Sequence, residues 1–243
     1  MSEGQAGAVG AREDVERIKS EVVACTRLLV FARILDFSGH VSARVPGTDL
    51  LVIQPRDTSR AALSPRDLLV VDLDGEVKDG AAPPPVETVI HTGAYRARPD
   101  VNAVCHGHPS LSTVFSVVDR PLLPVRHFAY RFPQGLPVHQ DATHIRSREQ
   151  GDAVARTIGG GGGCLLRSHG TVVVGLSVQE VFMTCLDIEE NARTLLYASG
   201  LGPVLPLSPG EVQAVSDSYS RSRHRPGKVW EHYIHLGRAA GVL

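Results

Sequence analysis

The sequence predicts an α/β domain built on a mixed or antiparallel sheet. Two observations carry this. Apolar runs of strand length stand side by side, "GHVSARV" with "LLVIQP" and "GCLLRSHG" with "TVVVG". Around them lie stretches whose apolar residues recur at helical spacing.

The elements follow in order. Residues 1–11 are small and polar and are expected to be a disordered tail, with residues 12–243 forming one domain that ends in a helical extension. From Glu13 to Asp36, the residues Val15, Ile18, Val22, Leu29, Ala32 and Ile34 mark a helix. "GHVSARV" and "LLVIQP" are strands separated by the turn "PGTD", and "LLVVDLDGEV" bends at Asp74-Gly75. After the triple proline, "VETVIHTGAYRAR" has a helical period, "DVNAVCHGH" is an inner strand, and "SLSTVFSVV" is a helix candidate. Residues 120–140, rich in proline and aromatics, are expected to be irregular structure over a site. "SREQGDAVARTI" and the long "SVQEVFMTCLDIEENARTLLYAS" are helices on either side of the second strand pair.

Composition excludes several function classes. Lysine plus arginine (25) nearly cancels aspartate plus glutamate (26), so the net charge of -1 gives no bias toward nucleic acid or an acidic membrane. The lysines Lys19, Lys78 and Lys228 all lie in charged or polar contexts, which argues against imine chemistry. The cysteines Cys25, Cys105, Cys164 and Cys185 form no CxxC pair and sit in apolar segments, as buried thiols of a reduced compartment do. With no leader-like N-terminus and no apolar stretch of spanning length, the expectation is a soluble cytoplasmic protein. "GGGGG" at 159–163 lacks the Lys-Ser/Thr of a phosphate loop and is expected to be a flexible turn.

The chemistry concentrates in histidines. His106 and His108, at i and i+2 in "AVCHGHPS", leave the same strand face roughly 7 Å apart, close enough to converge on one ion. His169, in "LLRSHG", ends another apolar strand. Three neutral imidazoles with an open position make a catalytic metal site. Glu87 starts the helix after the prolines, in apolar surroundings. The helix dipole alone favours a glutamate there; beside a metal it would also suit proton transfer.

"SGHVSARVPG", "VETVIHTGAYRARPDVNAVCHGHP" and "CLLRSHGTVVVG", in that order, resemble the class II aldolase/adducin superfamily across residues 15–200. The resemblance implies a three-layer α/β/α fold around a largely antiparallel sheet and a homotetramer of fourfold symmetry. It implies a divalent metal, zinc foremost with manganese or iron as options, on His106, His108 and His169. The family's acid/base carboxylate falls on Glu87. A full metal set favours an enzyme over a non-catalytic, adducin-like interaction module.

The departures point to the substrate. Sugar-phosphate members carry Gly-Asn where this chain has Gly39-His40, and a Ser-Ser pair where it has Pro85-Val86. Losing those hydroxyls removes donors a phosphate needs. The "GHVSAR" form resembles decarboxylases of aromatic-catabolic acids, such as those acting on dihydroxyphthalate or hydroxy-oxo-dienoate carboxylates. The expected function is a metal-dependent carbon–carbon lyase that decarboxylates a hydroxy-aromatic or hydroxy-oxo carboxylate. His40, Ser42, Arg44 and Arg56 are its candidate substrate contacts, and Tyr130 is a candidate catalytic phenol covering the site. Retro-aldol cleavage of an unphosphorylated hydroxy-oxo acid and iron-dependent oxygenation are the alternatives.

Overall fold

In the first strand, β1 (His40–Arg44), the apolar side chains Val41 and Ala43 alternate with the polar His40, Ser42 and Arg44. The strand is buried on both faces, so it must lie inside a sheet covered on two sides. The computed structural model, which describes residues 3–118, 120–222 and 225–243, places it there. The other strands are β2 (Leu50–Ile53), β3 (Leu69–Asp72), β4 (Val77–Asp79), β5 (Ala103–Gly107), β6 (Val138–His139), β7 (Gly163–Leu166) and β8 (Gly170–Gly175). They form one sheet in the order β4-β3-β2-β1-β5-β8-β7-β6. Every pairing is antiparallel except β6 with β7.

Because side chains alternate along a strand, the sheet carries two cores. On one face Val41, Ala43, Ala103, Cys105 and Val173 pack against helices α1 (Glu3–Phe31) and α5 (Val178–Ser199). On the other, Leu51, Ile53, Val104, Val172 and Val174 pack against α2 (Thr88–Ala97) and α4 (Arg148–Ile158). The result is the three-layer α/β/α arrangement. His40, Ser42 and Arg44 belong to the α2/α4 face, as does His106, two residues beyond Val104 on β5.

The α2–α4 contact is unusually close. A Cβ on Gly151 would lie 2.2 Å from the Val89 carbonyl oxygen, so only glycine permits this approach. Ser147 caps α4 by accepting from the Gln150 N–H while the Gln150 side chain returns the bond.

Several elements differ from the sequence expectation. The first helix takes in most of the stretch expected to be a tail, starting at Glu3. The helix after β5 is short, α3 (Ser110–Val114); the buried Glu189 carboxylate accepts from Leu111 N–H, Ser112 N–H and the Ser112 hydroxyl and holds its start. The C-terminal part forms α6 (Pro209–Ser222) and α7 (Arg225–Ala239), with Trp230 edge-on to Phe182 of α5. Lys19 lies in a charged stretch of α1. It is buried, but ion-paired to Asp79 at 3.3 Å, and takes no part in the cavity described below. All four cysteines are free and buried. Among the described residues no helix is long and apolar enough to cross a membrane.

Candidate active site

β5 ends at Gly107, and His108 follows just past the strand. His169 sits in the turn between β7 and β8, after Ser168, whose backbone is left-handed (φ 58°). The glycine after it serves close approach, since a Cβ on Gly170 would meet the Gly107 carbonyl oxygen at 2.1 Å. That contact presses the β7–β8 turn onto the end of β5 and brings His169 to His106 and His108. Glu87 precedes the first turn of α2, but its carboxylate makes no capping bond there. It turns to the histidines instead, with Oε2 3.3 Å from His106 Nε2 and Oε1 3.7 Å from His169 Nε2. One donor atom from each of Glu87, His106, His108 and His169 lies within 4.8 Å of the others.

The partners of these rings fix which nitrogen faces inward. His106 Nδ1–H donates to the Thr171 carbonyl at 2.9 Å, which leaves its Nε2 as a lone pair. That Nε2 is buried and lacks a well-formed hydrogen bond, though a carboxylate oxygen faces it. A lone pair opposite an anion repels it unless a proton or a cation lies between them. His108 Nδ1 meets Asp36 Oδ2 at 3.1 Å, the outer-shell carboxylate contact that orients a ligating imidazole. Nitrogen lone pairs and a carboxylate converging on one point, with one of them orphaned, fit a divalent cation.

Electrostatics agree with that donor set. Burial pushes the Glu87 carboxyl up, but a hydrogen bond from a proton on His106 Nε2, the charges of His106 and His169 when protonated, and the Ile145 N–H outweigh it and leave the pKa at about 2. Burial, followed by the charge of His106, lowers His169 to about 4. Both groups therefore reach neutral pH in metal-binding form.

Glu87, His108 and His169 line a cavity of about 660 Å³, with His106 fully buried beside them, and its wall includes His40, Arg56, Arg60, Pro85, Val86, His144 and Arg146. Two of the predicted substrate contacts, His40 and Arg56, are in that wall. Arg56 shares its guanidinium with Asp57. Ser42 is fully buried behind His40, its hydroxyl committed to His91 and Tyr95.

Arg44 does not reach the cavity. It shares a face with His40 but lies four residues along the strand, about 13 Å at the usual rise. Its guanidinium donates to the Tyr95 and Val101 carbonyls and lies over the Tyr95 ring. Tyr130 is not in the wall either. It stacks on Tyr219 and borders a separate cleft beside Gly160–Gly162.

Sequence reasoning missed Asp36, Arg60, His91, His144 and Arg146. Arg60 is buried and spends its donors on the carbonyls of Gly39, Pro55, Arg56 and Thr58, which shapes the loop at the cavity wall. His91 was the most findable, because it lies one helical turn after Glu87 and so on the same face.

Residues 20–196 match the family model described as Class II Aldolase and Adducin N-terminal domain. The chain is 29% identical to a 3,4-dihydroxyphthalate decarboxylase of Rhodococcus jostii (strain RHA1), covering 94% of this chain and 98% of the relative. It is 28% identical to an L-fuculose phosphate aldolase of Escherichia coli O157:H7, covering 75% of this chain and 84% of the other. Among solved structures, an aldolase II superfamily protein from Pseudomonas syringae superposes with TM-score 0.83 at 21% identity, over 94% of this chain and 95% of the other.

Proposed function

The chain belongs to the class II aldolase and adducin family, and from that premise we propose that it is a metal-dependent carbon–carbon lyase, a decarboxylase of a hydroxy-aromatic or hydroxy-oxo carboxylate. Its relatives include both decarboxylases and aldolases, so the lyase class rests on more than the substrate does. One observation carries the choice of decarboxylation: the wall beside Glu87 is Pro85 and Val86, without hydroxyl donors, while Arg56 and Arg146 supply positive charge at the rim. A planar guanidinium suits a carboxylate. Similarity along nearly the whole length of a 3,4-dihydroxyphthalate decarboxylase supports the same choice.

His106, His108 and His169 would hold the ion, with Glu87 close by; zinc, manganese and iron all fit this donor set. Bound there, a divalent cation would supply Lewis-acid stabilisation of the charge that develops on chelated substrate oxygens. The remaining work belongs to the chain. Arg146 has no side-chain hydrogen bond or ion pair among the described residues and is free to anchor a carboxylate at the rim. When the carbon–carbon bond breaks, CO2 leaves and the electron pair stays on the substrate carbon, which must take up a proton. Among the cavity carboxylates, Asp36 is held by His108 and Ser38, and Asp57 by Arg56. Glu87 is left as the proton carrier. We also assign residues 12–243 to a single domain with α6 and α7 as its extension, working as a homotetramer on small-molecule substrates.

Metal analysis and CO2 release together test the proposal. Purified protein should carry about one divalent ion per chain, release CO2 from 3,4-dihydroxyphthalate or a related catechol carboxylate, and lose that activity on chelation. Faster cleavage of L-fuculose phosphate than of any such carboxylate would overturn decarboxylation in favour of aldol chemistry.

A further inference from the structure

Behind the cavity wall runs a buried row of four polar side chains. His40 Nδ1 lies 2.7 Å from His91 Nε2, His91 Nδ1 lies 2.6 Å from the Ser42 hydroxyl, and that hydroxyl lies 2.8 Å from the Tyr95 hydroxyl. All four residues are almost completely buried, at 2%, 0%, 0% and 2% exposure. An arrangement in which Ser42 accepts from both neighbours would orphan its own buried hydroxyl proton. The row is therefore polarised end to end in one of two directions, and its far end decides between them. Among the described residues the only hydrogen-bond partner of the Tyr95 hydroxyl is Ser42, and the nearby charged group, Arg44, is a pure donor stacked on the ring. If protons pointed from His40 toward Tyr95, the tyrosine O–H would be buried with nothing to donate to, the costly kind of unsatisfied group. If they point the other way, Tyr95 donates to Ser42, Ser42 to His91 Nδ1, and His91 Nε2–H to His40 Nδ1. Every proton within the row then has an acceptor, and the one left over is the His40 Nε2–H at its cavity end.

We infer that this row is polarised from Tyr95 to His40, fixing His40 as a neutral Nε2–H donor at the cavity wall for an acceptor oxygen of the ligand. An imidazolium at His40 is disfavoured for the same reason as the reverse tautomer, because its Nδ1–H would drive the chain toward an orphaned tyrosine proton. His40 pairs directly across the strands with His106, and their ring centroids are 5.1 Å apart. The donor therefore stands beside the candidate metal cluster. It would donate to a carboxylate, phenolate or carbonyl oxygen there and reject a group that can only donate. Ser42, His91 and Tyr95 act as positioning residues. The tautomer stands independently of any reaction, while the donor role rests on the cavity being the substrate site proposed above.

Nitrogen NMR of the full chain, labelled at histidine and loaded with a diamagnetic divalent ion, tests the tautomer without substrate. His40 and His91 should both be neutral Nε2–H tautomers at pH 7, each with an Nδ1 that accepts a hydrogen bond. An Nδ1–H signal or an imidazolium at either residue in the wild-type chain overturns the inference, and this measurement needs no variant to fold. Ser42→Asp places an acceptor at the far end and should flip both rings to Nδ1–H; a folded variant with unflipped rings would also count against it.

The donor role is tested by binding of 3,4-dihydroxybenzoate as a chelating probe. His91→Leu should weaken it about tenfold, the scale of one buried hydrogen bond, and His91→Gln, which keeps a donor near the Nε2 position, should restore it. Equal affinity in wild type and His91→Leu, with the tautomer as stated, would remove the donor role and leave the polarised row standing.

Discussion

Glu87 departs from ordinary helix-start behaviour, because its carboxylate leaves the helix N-terminus uncapped to face three imidazoles. Glu87→Gln keeps its size and removes its ability to take up and pass on a proton. It should therefore cut turnover by about 100-fold or more, the usual share of a general acid, while the metal content stays near that of the wild type. Full turnover on the true substrate would remove Glu87 from the chemistry. Arg146 and Arg44 make a paired comparison. Arg146→Ala should raise KM roughly tenfold through loss of a charged contact, with little change in unfolding midpoint. Arg44→Ala should leave KM unchanged and lower stability, because the Tyr95 and Val101 carbonyls lose their donor. The two arginines look alike in sequence. Alternation along β1 correctly places Arg44 on the face of His40, but only the strand's length and the neighbouring carbonyls show that it points into a different part of the molecule. The HxH pair was legible because a period of two is a local property. Tyr130 was not, because residues 120–140 have no periodicity from which to place a side chain.

At the scale of elements, the site depends on how closely α2 and α4 approach. Gly151→Ala would put a methyl group against the Val89 carbonyl, where backbone rather than a flexible side chain must yield. The expected penalty is about 1–3 kcal/mol, seen as a lower urea midpoint, and activity should fall too because α2 carries Glu87 at its start. An unchanged midpoint would show that the helices have slack. The strand pairs and the long helices were readable from alternation and helical spacing. The strand order was not, because β1 lies beside β5 rather than ending the sheet, and nothing local in the sequence states that pairing. The end of α3 also eluded pattern reading, because the apolar pattern runs on to Val118 while the helix stops at Val114.

For the whole molecule, buried histidines make stability depend on pH. His91 is fully buried, and burial, followed by the charge of His106, lowers its pKa to about 3. An unfolded histidine binds a proton near 6.5. Between those values the unfolded chain binds the proton and the folded one does not, so stability is complete above about pH 6.5 and falls steadily as the pH drops toward 3. His40 is shifted in the same direction, by burial first and then by its histidine neighbours. Urea midpoints measured from pH 7 to pH 4 should decline, with a shallower slope in His91→Gln. A flat profile in the wild type would mean that these rings are protonated in the folded state.

The convergence of donors at the end of β5 has a consequence for how the protein is made. Glu87, His106 and His169 come from the start of α2, the body of β5 and the β7–β8 turn, segments that meet only through long-range pairing. A chain emerging from the ribosome possesses no ion site until β8 has joined β5. A divalent ion held there would be a late arrival, sealing a fold already formed rather than seeding it. Ion supply should accordingly leave the rate of refolding almost untouched and set how long the finished molecule survives.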